Sequence, residues 1–289
     1  MAQLIRFDWA MKRLLRSKAN FGILEGFLSE LLKRDLKILS LLESEGNKDE
    51  KDLKYNKVDI LVELSDGEVV LIEVQVDNEA DYFYRMLFGT SKIVTEYIKE
   101  GATYSHIKKV YSVNILYFDL GHGSDYVYHG TTSFIGIHNQ DHLDLSEKQK
   151  LLYQKEYVHQ IYPEYYLIKV NKFNDIAKDT LDEWIYFLKN EEIKDSFHAK
   201  GLLEVKEKLD SLKLPAQEKQ EYKRYLENLR YQNSMMDSNY NSGKIEGIME
   251  GRIEGEKVKA IEIAKKMKAA GLTNKVIQQV TGLNADKTD

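Results

Sequence analysis

Two carboxylates and an amide stand at a spacing that metal-assisted hydrolysis can use. Asp59 is followed, after 13 residues, by Glu73 and then by Gln75, all within VDILVELSDGEVVLIEVQ (58–75), where two apolar runs flank Ser65-Asp66-Gly67. Whether these groups meet depends on hairpin register, because strand side chains alternate between faces. A two-residue loop, Asp66-Gly67, sets Asp59 opposite Val74 and mixes charged and apolar groups on both faces. A three-residue loop, with Gly67 in the left-handed conformation, sets Asp59 opposite Glu73. It gathers Val58, Ile60, Val62, Leu64, Val70, Ile72, Val74 and Val76 on one apolar face. The other face then carries Lys57, Asp59, Leu61, Glu63, Val69, Leu71, Glu73 and Gln75. Only this register gives a clean core face, and it is the one predicted.

Like charges directly opposite one another destabilise a strand pair. A hard divalent cation answers that repulsion: magnesium takes oxygen ligands, one or two carboxylates among them, and keeps sites for water and phosphate oxygens. Such an ion acidifies water and stabilises charge at a phosphorus under attack. Gln75 shares the Glu73 face and can orient a water, though it neither carries charge nor acts as a base near neutrality. The plain structural alternative is a sheet-edge feature in which Lys57 neutralises the pair.

The elements that must hold these residues are readable in outline. Apolar residues at 21, 24, 27, 28, 31 and 32 have helical spacing, with Asn20 as the expected N-cap. Residues 44–56 are polar and read as a loop. Residues 79–100 read as a helix closed by Gly101, 108–118 as a buried strand, 125–138 as a second hairpin and 165–173 as a further strand. Helices are predicted over 178–190, 199–210 and 216–236. This order gives an α/β fold, a mixed central sheet flanked by helices, with a helical C-terminal extension. In GKIEGIMEGRIEGEK, glycine recurs at 243, 247, 251 and 255, in phase with Ile245, Met249 and Ile253. Each Gly costs a helix about 1 kcal/mol against Ala, so the spacing implies a self-association face; a flexible linker is the alternative. Beyond it, Gly271, Thr273 and Gly282 bound helices like the first two of a helix-turn-helix, but a third would have to begin near Asn284. The segment therefore reads as a small packing unit ending the stalk.

An Asp, a spacer and Glu-x-Gln across a hairpin resemble the PD-(D/E)xK nuclease core. The wider chain is similar to one branch, the Rpn family of recombination-promoting nucleases, also described as PD-(D/E)xK transposases. FDWAMKRLLRSKANFGILEGFLSELL, VDILVEL…VLIEVQ, YFYRMLFGTSK, VYSVNILYF and the tail GKIEGIMEGRIEG…GLTNKVIQQVTGL carry the resemblance over residues 4–283. It implies a restriction-endonuclease-like core over 1–175, a helical region over 176–236 and a Gly-repeat stalk over 237–289. It implies that Asp59 and Glu73 are metal ligands, with Mg2+ expected and Mn2+ able to substitute. Gln75 stands where that superfamily usually has Lys. Glu25 matches the acidic residue often found on the helix before the hairpin; the plain reading places it on that helix's wet face. Asp8 is a weaker match, with an N-cap role as its plain reading. Arg85, and more faintly Tyr82 and Lys92, are expected to bind substrate; a surface or ion-paired arginine is the structural alternative for Arg85.

Composition bounds the function. The chain has 289 residues, a net charge of −5 and no cysteine. Thiolate metal sites and disulfides are excluded, a reducing cytoplasm is the expected compartment, and nucleic-acid contact must be local rather than spread over the surface. No apolar stretch is long enough to span a membrane, and no signal-peptide core is read at the N-terminus. The seven histidines lack metal-site spacing. The expectation is a magnesium-dependent DNA endonuclease that promotes recombination or transposition and oligomerises through the Gly repeat. The alternative is a non-catalytic, oligomeric DNA-binding or interaction protein on a nuclease fold.

Overall fold

The computed structural model describes residues 4–42, 60–96 and 103–283. Lys57, Val58, Asp59, the 44–56 loop and Gly101 lie outside the described residues. By internal contacts the chain divides into two units, Met1–Lys219 and Gln220–Asp289.

The first unit is built on a six-stranded mixed sheet in the order β1 (Ile38–Leu41), β2 (Ile60–Leu64), β3 (Val69–Gln75), β4 (Val110–Leu116), β6 (Glu164–Lys169), β5 (Val127–Gly130). β3, β4 and β6 are parallel; the remaining pairs are antiparallel. Helices α1 (Phe7–Arg13), α2 (Phe21–Leu32), α3 (Tyr82–Glu96), α4 (Glu147–Tyr153), α5 (Thr180–Asn190) and α6 (Leu202–Lys208) flank it.

The hairpin takes the three-residue loop. Ile60 pairs with Ile72 and Val62 with Val70, Leu64 N–H bonds to the Glu68 carbonyl, and Gly67 has φ +85°. A left-handed residue costs little only when it lacks a Cβ, so Gly67 fixes the turn and the turn fixes the register.

The second face differs from a simple polar surface. Leu61, Val69 and Leu71 pack with Ile93 of α3 and Val110 of β4 in a buried cluster, while Ile60, Val62, Val70 and Ile72 on the opposite face are equally buried. Parallel strands covered on both sides need apolar residues on both, and the polar groups collect at the ends. Glu63, for example, is half-buried and paired with Lys108.

Other expectations are corrected. Residues 125–138 do not form a local hairpin: β5 pairs with β6, and Ile135 bridges His142. Phe134 and Ile137 are exposed, and β5 completes its backbone hydrogen bonds on the edge of β6 instead. Asn20 occupies the N-cap position of α2, but its side chain donates to the Leu14 carbonyl instead of capping. Asp8 lies within the first turn of α1, where Oδ1 accepts from Trp9 N–H at 2.8 Å and pairs with Arg6. The strand predicted over 165–173 stops at Lys169 and continues as a 3-10 turn.

In the second unit the predicted 216–236 helix and the stalk are parts of one helix, α7 (Ala216–Ala269), followed by α8 (Asn274–Thr281). Gly271 and Gly282 take positive φ at the helix ends, and Thr273 is the N-cap residue of α8.

Candidate active site at the carboxyl end of β3

The pleat of β3 sends Glu73 and Gln75 to the side where α3 packs through Tyr82, Met86, Thr90 and Ile93. Glu73 is 7% exposed. Its neighbour across the parallel pair is Asn114 of β4, also buried. Tyr82, at the start of α3, reaches under both: its Oη is 2.9 Å from Asn114 Oδ1 and 3.2 Å from Glu73 Oε2. The ring stacks edge-on against Phe118 and is fully buried. Burial first, and then the Glu73 charge, push the phenol far above its ordinary range, so it remains a hydroxyl donor. Asn114 spends its NH2 on Ser112 and on the Tyr166 carbonyl, which leaves Oδ1 to face Tyr82. A buried polar chain thus runs from Ser112 through Asn114 and Tyr82 to Glu73.

Gln75 has a different anchor. Its Nε2 donates to Glu79 Oε1 at 2.5 Å, in the segment linking β3 to α3. Arg85 Nη1 donates to the same oxygen at 2.5 Å, and Arg85 Nε lies 3.9 Å from Glu73 Oε2. Burial alone would depress the guanidinium, but Glu73 and Glu79 outweigh it and hold it above its ordinary value. Arg85 therefore bridges two carboxylates.

The residues picked from sequence are distributed as follows. Glu73, Gln75, Arg85 and Tyr82 come together. Tyr82 lies in the interior beneath Glu73, not on a surface where a base could stack. Lys92 is half-buried on α3, about two turns beyond Arg85. Glu25 is buried, not on a wet face: its Oε1 accepts from Ile38 N–H at 2.9 Å and its Oε2 from Lys37 at 2.8 Å, so its partners hold the start of β1. Asp59 lies outside the described residues. Sequence reasoning missed Glu79 and Asn114. The only available signals were an acid four residues after Gln75 and a polar residue inside the apolar run VYSVNILYF.

The family model for the PD-(D/E)XK nuclease family transposase matches residues 5–240. The chain belongs to this PD-(D/E)XK nuclease transposase family. No curated protein and no solved structure matches it significantly. The match spans the whole sheet and ends just before the first glycine of the repeat, Gly243. PD-(D/E)XK nucleases typically use divalent metals. The oxygens of Glu73 and Gln75 have the hard character such an ion requires. Among the described residues no three His, Asp or Glu side chains come together at metal-binding distance. Glu73 and Gln75 therefore fit as part of a donor set, with Asp59 the further carboxylate expected from the hairpin register. No helix among the described residues is long and apolar enough to cross a membrane.

Proposed function

We propose that the protein is a magnesium-dependent DNA endonuclease that hydrolyses phosphodiester bonds and promotes DNA recombination or transposition. The observation that carries this reading is the three-residue turn at Gly67. It sets the Ile60–Ile72 register on which the proposed facing of Asp59 and Glu73 rests, and Gln75, two residues on along β3, shares the Glu73 face. Asp59 and Glu73 are the residues proposed to hold the cation, with Mn2+ able to substitute, in a reducing cytoplasm. When bound, the cation supplies charge for the phosphate and acidifies water. The chain's own residues prepare the place. Tyr82 fixes Glu73 from below, Arg85 offsets the charge of Glu73 and Glu79, and Gln75 orients water. Residues 1–175 are the proposed nuclease unit, 176–236 the helical region and 237–289 the stalk.

Plasmid cleavage by the full chain, with and without magnesium, tests this. Wild type is expected to cleave only with the metal, and Asp59→Ala and Glu73→Gln to lose cleavage. Metal-independent cleavage, or full activity in Asp59→Ala, sinks the proposal. DNA binding with no cleavage of any substrate favours a non-catalytic binding protein.

We also infer that α7 associates with a second copy of the chain. Ile245, Met249 and Ile253 are exposed along it, and a Cβ at Gly243, Gly247, Gly251 or Gly255 would meet nothing within 4 Å. Four-residue spacing sets the glycines along one side of α7 and Ile245, Met249 and Ile253 along the opposite side, so one side offers close backbone approach and the other an apolar face to a second helix. Sedimentation of the full chain should show an oligomer that Met249→Glu dissociates; a monomeric wild type ends this reading.

A further inference from the structure

We propose that Glu79 is a positioning residue that fixes the polarity of the Gln75 amide, so that Gln75 serves the site through its oxygen and not as a substitute for a lysine ammonium. This rests on the endonuclease reading above and specifies what its third motif position does.

Donor and acceptor chemistry decides the orientation. A carboxylate offers only acceptors, and an amide offers NH2 at one end and a carbonyl oxygen at the other. Gln75 Nε2 and Arg85 Nη1 both lie 2.5 Å from Glu79 Oε1, so the NH2 end of Gln75 is the end turned to Glu79. The reverse orientation would set the amide oxygen against a carboxylate oxygen. The only remaining polar atom of Gln75 is Oε1, the end left for the site beside Glu73. An ammonium at this position would have no oxygen to offer. It would also crowd Arg85 on the same Glu79 oxygen, where a cationic partner is already in place. With glutamine at this position the positive charge near Glu73 comes from α3, through Arg85, and position 75 offers a hard neutral oxygen that can bind magnesium or accept a water proton.

The test measures Mn2+ affinity by electron paramagnetic resonance, alongside magnesium-dependent cleavage, in the full chain. Gln75→Met keeps the length but removes the oxygen, and is expected to weaken Mn2+ binding about tenfold or more. Gln75→Lys is expected to weaken binding and cleavage at least as much, although it restores the residue usual in the superfamily. Gln75→Glu combined with Glu79→Gln exchanges the two groups, so that an amide again faces a carboxylate and residue 75 keeps an oxygen for the site; it is expected to keep Mn2+ binding, which also shows that the site tolerates substitution. Glu79→Gln, whose amide can pair with either end of Gln75, is expected to weaken binding about tenfold. In the Gln75→Met background its effect should shrink to what its pairing with Arg85 contributes, because the rest of the Glu79 effect acts through Gln75. Gln75→Met or Gln75→Lys binding Mn2+ and cleaving like wild type overturns the inference and leaves the endonuclease reading standing. So does a Glu79→Gln effect that persists in full without the Gln75 oxygen. A wild type that neither binds Mn2+ nor cleaves overturns both.

Discussion

Asn114 Oδ1 and Tyr82 Oη lie 2.9 Å apart in the protein interior, joining β4 to the first turn of α3 directly beside Glu73. Because the Asn114 NH2 is committed to Ser112 and Tyr166, its oxygen depends on the Tyr82 hydroxyl. Tyr82→Phe leaves a buried acceptor unsatisfied and should cost about 1–3 kcal/mol in urea unfolding. Combining it with Asn114→Leu should cost less than the sum of the two, since both remove one interaction.

Acid should reveal the buried pair at the other end of β6. Lys109 Nζ is 2.8 Å from Glu164 Oε1, His129 Nε2 is 2.8 Å from Glu164 Oε2, and the Lys109 side chain is 3% exposed. Burial pushes the Glu164 carboxyl up, but Lys109 and His129 together more than offset it and hold it below its ordinary value. A depressed carboxyl contributes stability that is present above its unfolded pKa, about 4.3, and is lost as pH falls from there through the folded value. Urea unfolding of the wild type should therefore weaken across that window. Lys109→Met leaves Glu164 with His129 alone and should lose less than the roughly 3–5 kcal/mol of a fully stranded buried charge near neutrality, and its further loss on acidification should shrink.

Two glycines should fail for different reasons. A Cβ at Gly67 meets nothing within 4 Å, so Gly67→Ala should cost only the left-handed backbone penalty, about 1–2 kcal/mol. At Gly26 the added Cβ would lie 2.4 Å from the Lys200 carbonyl oxygen and 2.7 Å from Gly201 Cα. Those atoms are backbone, so α2 must shift from the entry to α6, and Gly26→Ala should cost about 1–3 kcal/mol or more. Thermal unfolding of the two variants should rank them in that order.

The stalk separates helix propensity from association. Gly247→Ala lies in a helix interior with open space around it and should favour the isolated helix by about 1 kcal/mol. If glycine is present for close approach of a second helix, the same change should lower the oligomer fraction in sedimentation while raising helicity by circular dichroism. Higher helicity with unchanged association would leave the glycines without that role.

How much of this was legible follows the range of the interactions. Gly67, two residues after Ser65, set the hairpin turn and so the Ile60–Ile72 register locally, because a left-handed position selects glycine. Helical spacing likewise located α2 and α3, and the Asp, Glu-x-Gln motif supplies the residue types on which the proposed chemistry rests. By contrast β1, ILSL, is too short for its period to distinguish strand from helix, and only pairing with β2 makes it a strand. β5 took the edge of β6, about 35 residues on, instead of a local partner, and no short-range spacing announces that pairing. Glu25 reads as a solvent-facing acid by its type, and only the position of the Ile38 amide and Lys37 shows that it is buried against the start of β1. The sequence by itself determined the turn and the side of the strand that Glu73 and Gln75 share. Tertiary structure alone decided their partners: Tyr82 for Glu73, Glu79 for Gln75, and Arg85 between the two acids. Turn geometry is a property of adjacent residues, whereas a buried polar group takes whatever donor or acceptor the packing of distant elements brings within reach.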